Sequence, residues 1–259
     1  MNQSELLTTA IQAALQAGRT LKNGFGSSYE IFSKEGRHNL VTTYDKLAES
    51  MIADAIARRF PKHGFFGEES GHQKSGDVLW IVDPLDGTVN FAHNIPVFSV
   101  SIAVAIEMQI VAGAIYQPMT GELFWAQKGK GAFLNGSQIH VSKQKKLYDA
   151  YLATGFPYNV QENPFHCIET FAHLTRVGIP IRRLGSAAID LSYVAAGRFD
   201  GYWEVSLEPW DLAAGLLLIQ EAGGTVSRYD GKVCDPLERG TVLATNGHLH
   251  VELQKEILK

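Results

Sequence analysis

The chain has 259 residues, of which 45% are hydrophobic and 19% charged, and a net charge of -4 at pH 7. It is long enough to bury one large core or two smaller ones, and its composition is that of an ordinary soluble globular protein. The closest approach to a basic patch is Lys143, Lys145 and Lys146 in a polar linker, so no nucleic-acid surface is expected.

The N-terminal segment carries Glu5, lacks a basic start and reads as an amphipathic helix rather than a secretory signal. Leu6/Leu7, Ala10/Ile11, Ala14/Leu15 and Leu21 recur at helical spacing and predict a first helix over about 3–22. A second helix is predicted from about Asp45 to Phe60, where Pro61 stops it. Residues 78–82 (VLWIV) read as a short buried strand. From 97 to 142 four apolar segments separated by turn signals predict an antiparallel meander. The polar stretch 142–150 is the best boundary, giving an N-terminal subdomain 1–145 and a C-terminal subdomain 146–259. The second half alternates: strands at YLATGF, IPIRRLG and GTVLATN, helices near 163–177, from Ser186 and from Asp211, and a last helix. No apolar run reaches the roughly 18 residues of a membrane span. Cys167 and Cys234 stand far apart without a CxxC partner, so reduced thiols in a cytoplasmic protein are expected.

Within LWIVDPLDGTVNF, Asp83 and Asp86 crowd the end of the predicted strand. The sequence contains its own control, because CDPLERG at 234–240 repeats Asp-Pro-Leu without the second Asp or the Gly-Thr, and reads as a plain turn. Gly87 permits close backbone approach, and Gly-Thr amides opening a helix suit an anion. Two carboxylates beside an anion repel it and each other unless cations intervene, and hard oxygen ligands favour Mg2+. Glu68-Glu69 follow an apolar Phe65-Phe66-Gly67 run, and read either as a solvated loop or as a second strand end that delivers carboxylates. Asp211 begins a predicted helix after Trp210, and Asp45 begins another. Each reads as an N-cap, a role that leaves a ligand or catalytic function open. Ser186 caps a helix of small residues whose amides suit ligand hydroxyls, and Glu204 lies near a strand end. No GxSxG or GxxxxGK[ST] occurs, so acyl-enzyme and P-loop chemistry lack their motifs.

GEES at 67–70, DPLDGTVNF at 83–91 and WDLAAG at 210–215, in that order, resemble the inositol monophosphatase family of Mg2+-dependent, lithium-sensitive phosphatases. The likeness extends over nearly the whole chain, including Lys34 followed by NLVTTYD and the GSAAIDLSYVAAGRFDGYWE segment. It implies an α/β (α+β) layered αβαβα sandwich of the inositol monophosphatase and fructose-1,6-bisphosphatase type. It also implies an inositol-1-monophosphatase that binds two to three Mg2+ ions. By the same resemblance, Glu68, Asp83 and the Leu85 carbonyl hold one metal, and Asp83, Asp86 and Asp211 a second, while Glu68 assists a weaker third. Gly87 and Thr88 amides hold the phosphate, and Thr88 with Glu68 and Asp45 orients the attacking water. Gly185, Ser186, Ala187, Glu204 and Asp211, with Asp86, face the substrate ring. A homodimer acting on a small phosphate monoester is the implied assembly.

The segment GFPYN at 155–159 departs from the serine-rich turn of the animal enzymes and puts inositol preference in doubt. Fructose 1,6-bisphosphate, 3'-phosphoadenosine 5'-phosphate and histidinol phosphate stay open as substrates. So does a transcription-linked binding role. A haloacid-dehalogenase mechanism needs its two aspartates two apart rather than three. Arg182 and Arg183 suggest either a dimer contact or an anionic substrate group.

Overall fold

The computed structural model describes residues 2–33, 39–74 and 76–259. Lys34 therefore lies outside the described residues. Helix α1, Gln3–Gly24, follows an Asn2 cap whose side chain accepts from the Ser4 amide, and buries Leu6, Ala10, Ala14 and Leu21 on one stripe. Strands β1 (Ile31–Ser33) and β2 (Leu40–Thr42) form an antiparallel pair before helix α2, Thr43–Arg59. Strands β3 (Gly64–Gly67), β4 (Gly71–Lys74) and β5 (Val78–Asp86) lead into a one-turn helix α3, Thr88–Ala92. The predicted meander follows as β6 (Ser99–Ile106), β7 (Gln109–Gln117), β8 (Glu122–Gln127), β9 (Gly131–Leu134) and β10 (Ser137–Ile139). Its last predicted strand is two strands, because Asn135 and Gly136 both take positive φ and make a tight hairpin turn. The order β10-β9-β8-β7-β6-β5-β3-β4 makes one sheet of eight strands.

The second half supplies β11 (Leu152–Thr154), α4 (Cys167–Arg176), β12 (Ile181–Arg182), α5 (Ala187–Ala195), β13 (Gly201–Leu207), α6 (Pro209–Glu221), β14 (Thr225–Ser227), β15 (Gly240–Thr245) and α7 (His250–Ile257). Its five strands run β12-β11-β13-β15-β14.

Three cores order these elements into αβαβα layers. Helices α1 and α2 cover one face of the large sheet, where Leu6, Ala10 and Ile52 meet Trp80, Val82 and Val100. Helices α5 and α6 fill the space between the sheets, with Ala188, Leu191 and Leu212 against Ile81, Ala103 and Ile115 on one side and Tyr202, Val242 and Ala244 on the other. The outer face of the smaller sheet is closed by α4 and α7 through Leu174, Leu253 and Ile257 on Leu152, Trp203 and Leu243. Trp80 and Val82 enter one core and Ile81 the other, so β5 reads as continuously apolar because both faces are covered. Each such large buried side chain contributes roughly 1.5–3 kcal/mol.

Strands β3 and β5 are parallel neighbours, so their C-terminal ends emerge at the same edge of the sheet. Strand β5 outruns its predicted end at residue 82 and continues to Asp86. No described helix is long and apolar enough to cross a membrane, and both cysteines are buried free thiols.

Candidate active site

Pro84 offers no amide to the ladder, and pairing with β6 breaks between Asp83↔Ser101 and Asp86↔Ser99. Within this bulge Asp83 Oδ1 accepts from the Leu85 amide at 3.0 Å. The control copy folds the same way locally, Asp235 Oδ1 accepting from the Leu237 amide at 2.9 Å, and it is a turn. What distinguishes the first copy is Asp86-Gly87-Thr88. Gly87 sits in the left-handed region (φ 93°), and a Cβ there would lie 3.0 Å from the Val97 carbonyl.

Asp83, Asp86 and Asp211 offer carboxylate oxygens that all lie within 4.8 Å of one another. Asp83 and Asp86 are 2% and 8% exposed, and Asp211 is half-buried. Burial, followed by the charges of Glu68, Asp86 and Asp211, pushes Asp83 well above the usual carboxylate range. Asp211 is pushed up by burial first and then by Asp86 and Glu68. Burial raises Asp86 to about 6 even though bonds from Ser186 and Ala188 oppose it. The charge of Glu68 is the largest of the neighbouring charges acting on Asp83. Buried oxygen donors that repel one another in this way are the donor set a hard divalent cation neutralises, so the residues fit a metal.

Asp211 and Asp45 occupy the same local position. Neither is the N-cap the sequence suggested; both are the third residue of a capping box. Asp45 Oδ2 accepts from the amide (2.7 Å) and hydroxyl (2.6 Å) of the true cap, Thr42, and Asp211 Oδ2 accepts from the Glu208 amide at 2.8 Å. One oxygen of each acid is thereby fixed, which leaves the other free of the cap. For Asp45 that oxygen meets Thr88 Oγ1 at 2.9 Å, and Thr88 Oγ1 also lies 2.9 Å from the Leu85 carbonyl. Burial raises Asp45 to about 6 against the bonds from Thr42 and Thr88.

Ser186 is the N-cap of α5, accepting from the Ile189 amide at 3.4 Å. Its hydroxyl donates to Asp86 Oδ2, which also accepts from the Ala188 amide at 2.8 Å and from Ser99 Oγ at 3.4 Å. The opening of α5 thus orients Asp86, and the Ala187 amide contributes to the same hold. Gly185 stays exposed beside it, and its carbonyl comes 3.2 Å from the position a Cβ on Gly87 would take. Glu204 accepts from the Tyr202 hydroxyl, and burial pushes it to about 7 while Asp86 adds to the rise and Arg183 opposes it. Arg182 and Arg183 stack 4.8 Å over Tyr151 and 5.4 Å over Phe156. Sequence reasoning missed Ser99, which bonds Asp86, and Tyr202, which bonds Glu204.

Residues 2–259 match the Inositol monophosphatase family. The Inositol-1-monophosphatase of Mesorhizobium japonicum is 43% identical over 262 residues, covering 100% of this chain and 98% of its own. The Nus factor SuhB of Escherichia coli K12 is 43% identical over 229 residues, 87% of this chain and 86% of its own. The crystal structure of extragenic suppressor protein suhB from Bartonella henselae superposes with a TM-score of 0.93 at 39% identity, covering 98% of this chain and 99% of that one. The chain is a member of the inositol monophosphatase family, whose enzymes are metal-dependent phosphatases of phosphate monoesters. The haloacid-dehalogenase alternative falls with that assignment.

Proposed function

We propose that the chain hydrolyses inositol 1-phosphate to inositol and phosphate, with two to three Mg2+ ions held by Glu68, Asp83, the Leu85 carbonyl, Asp86 and Asp211. The observation that carries this reading is the convergence of Asp83 and Asp86 from one sheet with Asp211 from α6, beside the Thr88–Asp45 pair. When bound, Mg2+ supplies charge neutralisation at the phosphoryl group and a water of lowered pKa. The Gly87 and Thr88 amides hold the phosphate oxygens. Thr88 Oγ1 donates to Asp45, which leaves its lone pairs directed at a water positioned jointly with Glu68. Gly185, Ser186, Ala187, Glu204, Asp86 and Asp211 border the ring. Glu204 and Asp211 accept from its hydroxyls, while Ser186 and Ala187 act mainly by fixing Asp86. Phosphoryl transfer needs this positioning and no protein nucleophile. In the same reading residues 1–145 and 146–259 each bring part of the site, the enzyme is a cytoplasmic homodimer, and millimolar Li+ inhibits it.

Measuring kcat/KM with Mg2+ for inositol 1-phosphate, fructose 1,6-bisphosphate, 3'-phosphoadenosine 5'-phosphate and histidinol phosphate tests the assignment. Preference for any of the last three would replace the substrate, and no release from all four would end the hydrolase reading. The relative called a Nus factor favours one second reading, a transcription-linked binding role. That role predicts retention of the chain on immobilised RNA polymerase, and a chain that washes through removes it.

A further inference from the structure

We infer that Glu49, outside the metal-ligand set, is a positioning residue that sets Glu68 for metal binding; this rests on the reading of Glu68 as a ligand. Glu49 lies one helical turn after Asp45 on α2, so the two carboxylates share a face of the helix. Asp45 holds Thr88, and Glu49 reaches the other ligand-bearing turn. Glu49 is 5% exposed, an unusual place for a glutamate without a specific partner. Its Oε2 accepts from the Glu69 amide at 2.8 Å.

That bond completes a two-point grip around Glu68. The Glu68 amide donates to the Val82 carbonyl at 3.1 Å, which ties it to β5 just before Asp83. The next amide, that of Glu69, is tied to α2 by Glu49. With both peptide units fixed, the Glu68 side chain leaves the turn from a defined backbone close to Asp83, whose carboxyl its charge raises. The chain makes room for this grip at Gly67, where a Cβ would stand 2.3 Å from Glu49 Oε2. A charged acceptor on a backbone N–H is a strong hydrogen bond, and supports of this kind around metal ligands typically change affinity by about 10–100-fold.

Mn2+ titrated into the metal-free full-length chain, with free Mn2+ read from its EPR signal, tests the inference without recourse to turnover. Glu49→Ala is expected to weaken Mn2+ binding by about 10–100-fold. Glu49→Gln, whose amide oxygen accepts the same N–H, should stay within about threefold of the unaltered chain. The double variant E49A/E68Q should bind no more weakly than Glu68→Gln alone, because Glu49 acts through Glu68. Losses that simply add would show a general structural role and overturn the inference. So would an E49A affinity equal to the unaltered chain's while E68Q binds weakly, and in that case Glu68 stands as a ligand. An E68Q variant that binds Mn2+ normally would instead remove the reading of Glu68 itself. If E49A does not fold, Glu49→Met keeps the volume, removes the acceptor and is held to the same outcomes.

Discussion

Asp45 and Asp211 each serve two purposes with one carboxylate, and the division between their oxygens predicts how substitutions will separate those purposes. In Asp211→Asn the amide oxygen can still accept from Glu208, so the start of α6 survives while a site charge is lost. We expect kcat to fall by about 10²-fold or more, with the melting temperature of the metal-free chain unchanged or raised. Near-normal turnover would remove Asp211 from the ligand set. Thr88→Ala deletes the hydroxyl that bridges Asp45 and the Leu85 carbonyl and leaves the acids in place. Turnover should drop by roughly 10²-fold and Thr88→Ser should restore most of it, while Mn2+ affinity holds. Loss of Mn2+ binding in Thr88→Ala would mean that Thr88 supports the ligands rather than the chemistry.

Strand β11 and its neighbour β13 place Glu204 through backbone clearance. A Cβ on Gly155, just past β11, would lie 2.0 Å from Glu204 Oε2. Gly155→Ala should therefore displace that carboxylate, at a cost of about 1–3 kcal/mol. It should raise KM for inositol 1-phosphate while leaving hydrolysis of p-nitrophenyl phosphate, which lacks ring hydroxyls, nearly unchanged. Equal losses on both substrates would show that Glu204 does not read the ring. Such clearances are not visible in sequence, where Gly155 is one glycine in GFPYN. The long amphipathic α1 was legible because its periodicity follows from burial on one face, and the β6–β10 meander because its apolar segments are punctuated by turn signals. The short β1, β2, β4 and β14 carry too few residues to show a period. Strand β5 was cut short at residue 82 because Pro84 reads as a stop, whereas the bulge lets the ladder resume at Asp86. The acids of the site were legible as motifs. Glu49 was not, because a glutamate on a helix ordinarily reads as solvated and its burial depends on a turn about twenty residues downstream, joined to it only by the fold.

In the layer between the sheets, α5 carries a buried carboxyl outside the candidate site. Asp190 on α5 is 1% exposed, and its Oδ1 has no hydrogen-bond partner among the described residues. Burial, then Glu204 and Asp86, pushes Asp190 well above the usual range. In the unfolded chain this carboxyl ionises near pH 4. Above that pH the folded chain keeps a proton the unfolded chain has released, so Asp190 contributes stability that is lost as pH rises. His250, also buried, is pushed down, so its contribution is lost in the opposite direction, as pH falls below its ordinary value of 6.5. Comparing Asp190→Asn with the unaltered chain at each pH cancels His250 and every other shared group. Between about pH 4 and 8 the variant should gain on the unaltered chain as pH rises, by at most about 1.4 kcal/mol per pH unit, or roughly 2–4 °C in melting temperature for each kcal/mol. A difference between the two melting curves that stays constant over that range would show that Asp190 is already ionised in the folded layer.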